Sequence, residues 1–357
     1  MGALVVLLAL SACTDDAGTP PDPTTPSSGS GEGERPEAGG GTDARTAVTA
    51  RRMGRQIDAL VTPRGSIWSS MRTVLVTLGD QVVVERHYDG PRSQDVSSLT
   101  ATVVGTLAGI AVERGILRLS DRLDELLPAY RDQMSSVMGA TTLEQLLTMQ
   151  SGLEADLLRD TAPPFAVTHD WVGTILRGGL SGTPTEFAYS SAAPHLVAAA
   201  LREATGEPLA TFARRVLFRP LGRPGPLTWA TSPTGEEIGF AGLRLDAEDL
   251  QALGQLYLDG GRADGRTVLA PGWVRRATTD RQFSLDPGGY GFGYLWWVSD
   301  VGGHRALSGL GEGQQLLEVV PDLDLVVVAL GDVEPAFGQD GSMLQDALND
   351  SLFPGAG

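Results

Sequence analysis

The chain has 357 residues and a formal net charge of −17, from 44 acidic and 27 basic side chains. The length allows one large domain or two, and 41% hydrophobic residues are enough for a sizeable core. The acidity argues against nucleic acid as a partner, and a single cysteine excludes an internal disulfide.

In chain order, the first feature is the apolar run from Ala3 to Leu10, of signal-peptide length and too short to span a bilayer. Leu10-Ser11-Ala12-Cys13 follows, and this resembles a bacterial lipobox. The resemblance implies that residues 1–13 are a lipoprotein signal, with Cys13 as the lipidated first residue of the mature chain. Residues 14–46 are rich in Pro, Gly, Ser, Thr and acidic residues and contain no aromatic. Such a segment cannot bury enough apolar surface to fold, so a flexible tether is expected. Together these features predict a protein lipid-anchored to the cell membrane on its extracytoplasmic face.

Residues 47–357 read as the folded part. Met53, Ile57, Leu60 and Val61 share one helix face between Ala47 and Val61. Arg72–Leu78 and Gln81–His87 are predicted strands about a turn at Gly79-Asp80. A helix is expected from about Ser98, with Val103, Leu107, Ile110 and Ala111 on one face. Thr141 and Glu144 suggest a capping box ahead of Leu146, Leu147 and Met149. A helix containing Pro194 near its start closes at Gly206, and another runs from Asp246 to Leu258. Strands are expected at Tyr290–Val298, Leu316–Val320 and Leu323–Leu330, and a final helix from about Ser342 to Leu352. Strands at both ends and helices between them predict a mixed α/β fold. Its antiparallel sheet would be assembled from both termini and flanked by helices, with an all-helical insertion over roughly residues 115–235.

Several segments carry a resemblance. Ser98-Leu99-Thr100-Ala101 opens the helix, and Leu146-Leu147-Thr148-Met149-Gln150-Ser151-Gly152-Leu153, Phe187-Ala188-Tyr189-Ser190-Ser191, Gly242-Leu243-Arg244, Gly291 to Trp297 and Val319 to Leu325 follow in order. This series resembles the serine β-lactamase and penicillin-binding protein superfamily, nearest to the branch of 6-aminohexanoate-oligomer hydrolases and related esterases. The resemblance implies a β-lactamase/DD-peptidase-like fold with the site between the sheet domain and the helical domain.

It also implies roles. Ser98 stands at the nucleophile position of S-x-x-K, and Ala101 stands where the family has its lysine. Tyr189 stands at the second base of Y-x-N, with Ser191 in place of the Asn. The third motif falls on Glu312-Gly313-Gln314, with Gln315 as the expected backbone donor to an oxyanion. Ser191, Glu312, Gly313 and Gln315 are therefore the expected substrate-binding residues.

The missing lysine has a chemical consequence. A serine attacking a carbonyl must hand its proton to a base. The chain contains no lysine at all, so every basic side chain is arginine, which stays protonated and cannot serve. An ordinary tyrosine, pKa about 10, is only about 0.1% phenolate at pH 7. Losing a positioned base typically costs about 10²–10⁴ in rate. Of the four histidines, His87, His169, His195 and His304, only His304, together with Glu312, merits testing as a substitute. No metal-ligand spacing, phosphate loop or dinucleotide fingerprint occurs, so no cofactor is expected.

The leading expectation is an impaired serine hydrolase homologue that binds a small-molecule or peptide-like ligand in the inter-domain cleft. The alternatives are an active esterase or amidase using Ser98 and Tyr189, and a non-catalytic scaffold.

Overall fold

The computed structural model describes residues 40–63, 66–153, 168–178, 180, 182–279, 290–301, 303–332 and 344–348. The expectations for Cys13, for the signal segment and for the tether as far as residue 39 lie outside the described residues.

The fold is mixed α/β, as expected. One antiparallel sheet of seven strands has the order β2-β1-β12-β11-β10-β9-β8. The strands are β1 (Met71–Leu78), β2 (Gln81–His87), β8 (Gly291–Phe292), β9 (Trp297–Val301), β10 (His304–Gly311), β11 (Gln315–Val320) and β12 (Leu325–Gly331). The two ends of the chain meet where β1 pairs with β12, Val74 opposite Ala329 and Val76 opposite Val327. Runs such as Leu325–Gly331 are buried throughout, because both faces of the sheet are covered.

Helix α1 (Gly40–Val61) covers one face through Met53, Ile57 and Val61, joined there by Leu344 and Leu348 of the helical residues 344–348. The helix starts at Gly40 rather than near Ala47. Once its packed face is anchored, helix-compatible residues such as Ala44 and Arg45 extend it toward the N-terminus at little cost.

The larger core lies on the other face. Its centre is α2 (Thr100–Glu113), buried on all sides from Thr100 to Ala111. Around it stand the short helices α3 (Leu123–Leu126), α4 (Ser136–Ala140) and α5 (Leu143–Leu147), then α6 (Trp171–Gly178), α7 (Ala192–Thr205), α8 (Leu209–Ala213), α9 (Ala247–Leu258) and α10 (Pro271–Ala277). Gly206, at φ 67°, ends α7 in the left-handed conformation that glycine adopts freely.

Three local expectations need correction. The capping box uses Thr142 and Gln145, one residue later than predicted, because the Glu144 carboxylate instead accepts from the Tyr294 hydroxyl at 2.6 Å. The strand expected over Tyr290–Val298 is two short strands. Leu295 breaks it at φ 60°, which lets its N–H reach the Leu147 carbonyl at the end of α5. Strand β10 was not anticipated, because Ser308, Gly309 and Gly311 have poor strand propensity. Pairing with β9 and β11 overrides that preference.

Candidate active site

Ser98 sits where a small second sheet hands over to α2. Strand β3 (Gln94–Asp95) pairs with β5 (Leu243–Leu245), which also pairs with β4 (Thr228–Trp229). The Asp95 carboxylate accepts from the N–H of Ser97 at 2.8 Å and of Gly242 at 3.0 Å. Asp95 thus ties the serine loop to the Gly242-Leu243-Arg244 segment. Ser97 is held at φ 48°, a strained region for a residue with a Cβ. The strain turns the chain into a 3₁₀ turn, Ser97–Leu99, which leads into α2 with Ser98 half-buried at the corner. The Ser98 hydroxyl makes no hydrogen bond to any described residue. Ala101, in the first turn of α2, is 6% exposed and packs into the core.

The opposing wall is the end of β10. A Cβ added at Gly311 would lie 2.5 Å from the Val96 carbonyl oxygen and 3.2 Å from the Leu99 nitrogen. One at Gly309 would lie 3.0 Å from the Leu99 side chain and from the Thr102 hydroxyl. Only glycines let the strand come this close to the serine turn. Thr102 also donates to the Leu295 carbonyl at 3.0 Å, fixing α2 to the β8–β9 connection.

The residues at which the third motif was expected lie just past this wall, in a turn. Gly311 pairs with Gln315, and residues 312–314 form the tight connection between β10 and β11. Glu312 is half-buried there, and Gly313 has φ 81°. The Gln315 side chain is fully buried. Its amide donates to the carbonyls of Gly331 at 2.6 Å and Gly313 at 3.0 Å. That side chain braces the turn against β12.

Tyr189 precedes α7 and is 38% exposed. Its segment is held by the loop after α5. The Ala188 N–H donates to the Met149 carbonyl at 2.9 Å, and the Gln150 side chain donates to the Thr185 carbonyl at 2.8 Å. Ser190 and Ser191 are buried where α7 begins.

The Tyr189 ring stacks on Trp297, centroids 5.7 Å apart and planes 19° from parallel. Phe187, Tyr290 and Phe292 also surround Trp297, at 6.4, 6.3 and 4.9 Å. Trp297 pairs with Ser308 of β10. A Cβ on its neighbour Gly309 would meet Leu99, so Trp297 and the serine turn flank the same stretch of β10. The sequence reading missed this aromatic group as part of the site. Its signal was the aromatic spacing of two in Phe187-Ala188-Tyr189 and Tyr290-Gly291-Phe292. Asp95 was also missed, since its partner Gly242 is remote in sequence.

His304, His87 and His195 each have partners other than Ser98. His304 begins β10, roughly 23 Å along the strand from Gly311, with Asp322 3.7 Å away. The expectation that His304 merits testing as a base is therefore withdrawn. His87 bonds Glu85 on β2, the outer strand, and His169 is exposed before α6. His195 is buried in α7, its Nδ1 accepting from the Gly239 N–H at 3.3 Å. Burial pushes its pKa down to about 4. Tyr257, which meets Thr106 of α2 at 3.0 Å, is pushed up to about 12 by burial and is no base.

Comparison with known proteins bears on the fold and the family. The family model described as beta-lactamase matches residues 58–344. The chain is 29% identical over 292 residues to a 6-aminohexanoate-dimer hydrolase of Paenarthrobacter ureafaciens, covering 72% of this chain and 71% of that one. A class C beta lactamase from Rhodobacter sphaeroides superposes with a TM-score of 0.62 at 18% identity, over 85% of this chain and 98% of the other. A D-stereospecific amidohydrolase from Streptomyces sp. does so with a TM-score of 0.64 at 16% identity, over 87% and 99%. The structural likenesses concern the fold.

Proposed function

The chain belongs to the beta-lactamase family, a family of serine hydrolases, and from that premise we propose that it is a membrane-tethered member with an impaired site. In this reading it binds a peptide-, amide- or ester-like ligand beside Ser98 and turns it over slowly. The observation that carries the reading is the surrounding of Ser98. Its hydroxyl has no described hydrogen-bond partner, Ala101 stands one turn along the helix, and His87, His195 and His304 are engaged elsewhere.

The ligand follows from the walls. Glu312 disfavours a carboxylate such as the one on a penicillin, by like-charge repulsion. The aromatic group at Tyr189 and Trp297 favours an apolar chain or ring. The name of the Paenarthrobacter relative points to a linear amide, which suits such a wall. The backbone N–H groups of Ser98 and of the Gly311–Gln315 turn are the candidate oxyanion donors, with Gln315 the donor expected from its motif position. Cys13 is the proposed lipid anchor; Cys13→Ser should release the protein from membranes, and unchanged membrane fractionation of that variant would refute anchoring.

One observation favours a second reading, an active esterase or amidase using Ser98 and Tyr189. The strained φ of Ser97 is the kind of backbone cost that clusters at working sites. Mass spectrometry after incubation with a fluorophosphonate and with a penicillin separates the readings. Slow or absent phosphonylation and no penicilloyl adduct fit the impaired site. Rapid stoichiometric labelling of Ser98 supports the active enzyme. A protein that also binds no amide or ester ligand is a scaffold.

A further inference from the structure

A second constellation lies at the other edge of the sheet. Strand β2 is its outermost strand, and Glu85 and His87 stand two residues apart on it, sharing one face. Glu248 reaches the same place from the first turn of α9. One ligand atom from each of the three lies within 4.8 Å of the others. We propose that Glu85, His87 and Glu248 form a binding site for a divalent transition metal of the zinc type.

The donor set suits such an ion. Zinc takes imidazole nitrogen and carboxylate oxygen at about 2.0–2.2 Å, so tetrahedral ligands stand roughly 3.3 Å apart. His87 Nε2 and Glu85 Oε1 are already 2.8 Å apart. The remaining closure is at most about 1.5 Å, within reach of side-chain rotation. Three protein ligands leave a fourth position open to water, as in exchangeable zinc sites.

The imidazole is also oriented from behind. His87 Nδ1 lies 3.2 Å from the hydroxyl of Thr73, its register partner on β1, and Thr73 is buried. Metal-bound histidines characteristically have such a partner on the second nitrogen. A hydroxyl both donates and accepts. It can donate to Nδ1 while Nε2–H faces Glu85, and accept from Nδ1–H once Nε2 holds a metal.

Glu248 is similarly placed. Arg223 bridges Asp246 at 2.7 Å and Asp249 at 2.6 Å, pinning the turn from which Glu248 projects. Arg92 approaches one Glu248 oxygen at 3.5 Å, and the carboxylate has a second to offer. Bound metal would clip the edge strand to α9. Its ligands come from two remote stretches, so no spacing rule reveals them in the sequence.

The test is a titration of the chelator-treated full-length protein with cobalt(II), followed by displacement with zinc. One equivalent should bind with visible d–d bands. His87→Ala and Glu248→Gln should each weaken binding by more than tenfold, with unchanged circular dichroism. Thr73→Val should weaken it by about tenfold, the scale on which outer partners of ligands act. Absence of saturable binding would overturn the site. So would unchanged affinity in both ligand variants, or a sulfur charge-transfer band that disappears in Cys13→Ser.

Discussion

Tyr189 lies flat against Trp297, ring centroids 5.7 Å apart, so the candidate second base is positioned by a tryptophan on another part of the chain. The tryptophan belongs to β9, and the tyrosine precedes α7. Stacking of this kind adds about 0.5–1.5 kcal/mol beyond area burial. Trp297→Ala should destabilise the fold by about 2 kcal/mol, below the range for a fully buried aromatic because Trp297 is half-buried. It should also weaken binding of an apolar amide ligand, while Trp297→Phe retains most of both. Urea denaturation and ligand titration of the two variants measure this. Equal binding by the alanine variant would remove the aromatic group from the site.

The approach of β10 to the serine turn gives a sharper test. Gly311→Ala places a Cβ 2.5 Å from the Val96 carbonyl oxygen, a backbone atom that cannot rotate away. The expected cost is about 1–3 kcal/mol, with loss of whatever fluorophosphonate reactivity Ser98 has. Thermal denaturation and labelling rate report both, and an alanine variant that labels like the parent would mean the wall is not where the structure puts it.

Ala101→Lys tests the missing base directly. The amine would stand one helical turn from Ser98, where it can take the serine proton. Hydrolysis of a small activated ester should rise at least tenfold, a modest share of what a positioned base supplies. Ala101 is 6% exposed, so the variant should also lose stability through overpacking and charge burial. A folded variant no more active than its Ser98→Ala derivative would show that the site lacks more than a base.

His195 predicts a pH dependence of stability. Its folded pKa is pushed down to about 4 by burial, against about 6.5 in the unfolded chain. Below pH 6.5 the unfolded state therefore binds more protons than the native state. The stability linked to neutral His195 is complete above that pH and is lost as the pH falls toward 4. The loss amounts to about 3 kcal/mol. His195→Asn can still accept from the Gly239 N–H through its Oδ1 and should flatten the profile between pH 4 and 6.5. Denaturant midpoints at several pH values for both proteins decide it.

Local chemistry was enough to recognise much of this molecule from its sequence. The Val- and Thr-rich run Arg72–Leu78, the turn at Gly79-Asp80 before Gln81–His87, the apolar face of Met53, Ile57 and Val61, and Gly206 after the Ala-rich helix are short-range signals, and each corresponds to an observed element. The order of the elements and motifs was enough for the fold class and the family. That the chain contains no lysine is a fact of the sequence alone.

The tertiary structure decided what depends on partners remote in the chain. Strand β10 forms against its own propensity because β9 and β11 flank it, and its glycines matter because the serine turn needs the space. The same pairing places Glu312 in a turn and carries His304 to the far end of β10. Tyr189 meets Trp297, Asp95 meets Gly242 and Glu85 meets Glu248 across more than a hundred residues each. Periodicity and spacing report only the energetics of neighbours along the chain, whereas these contacts arise when the chain closes its sheet from both ends.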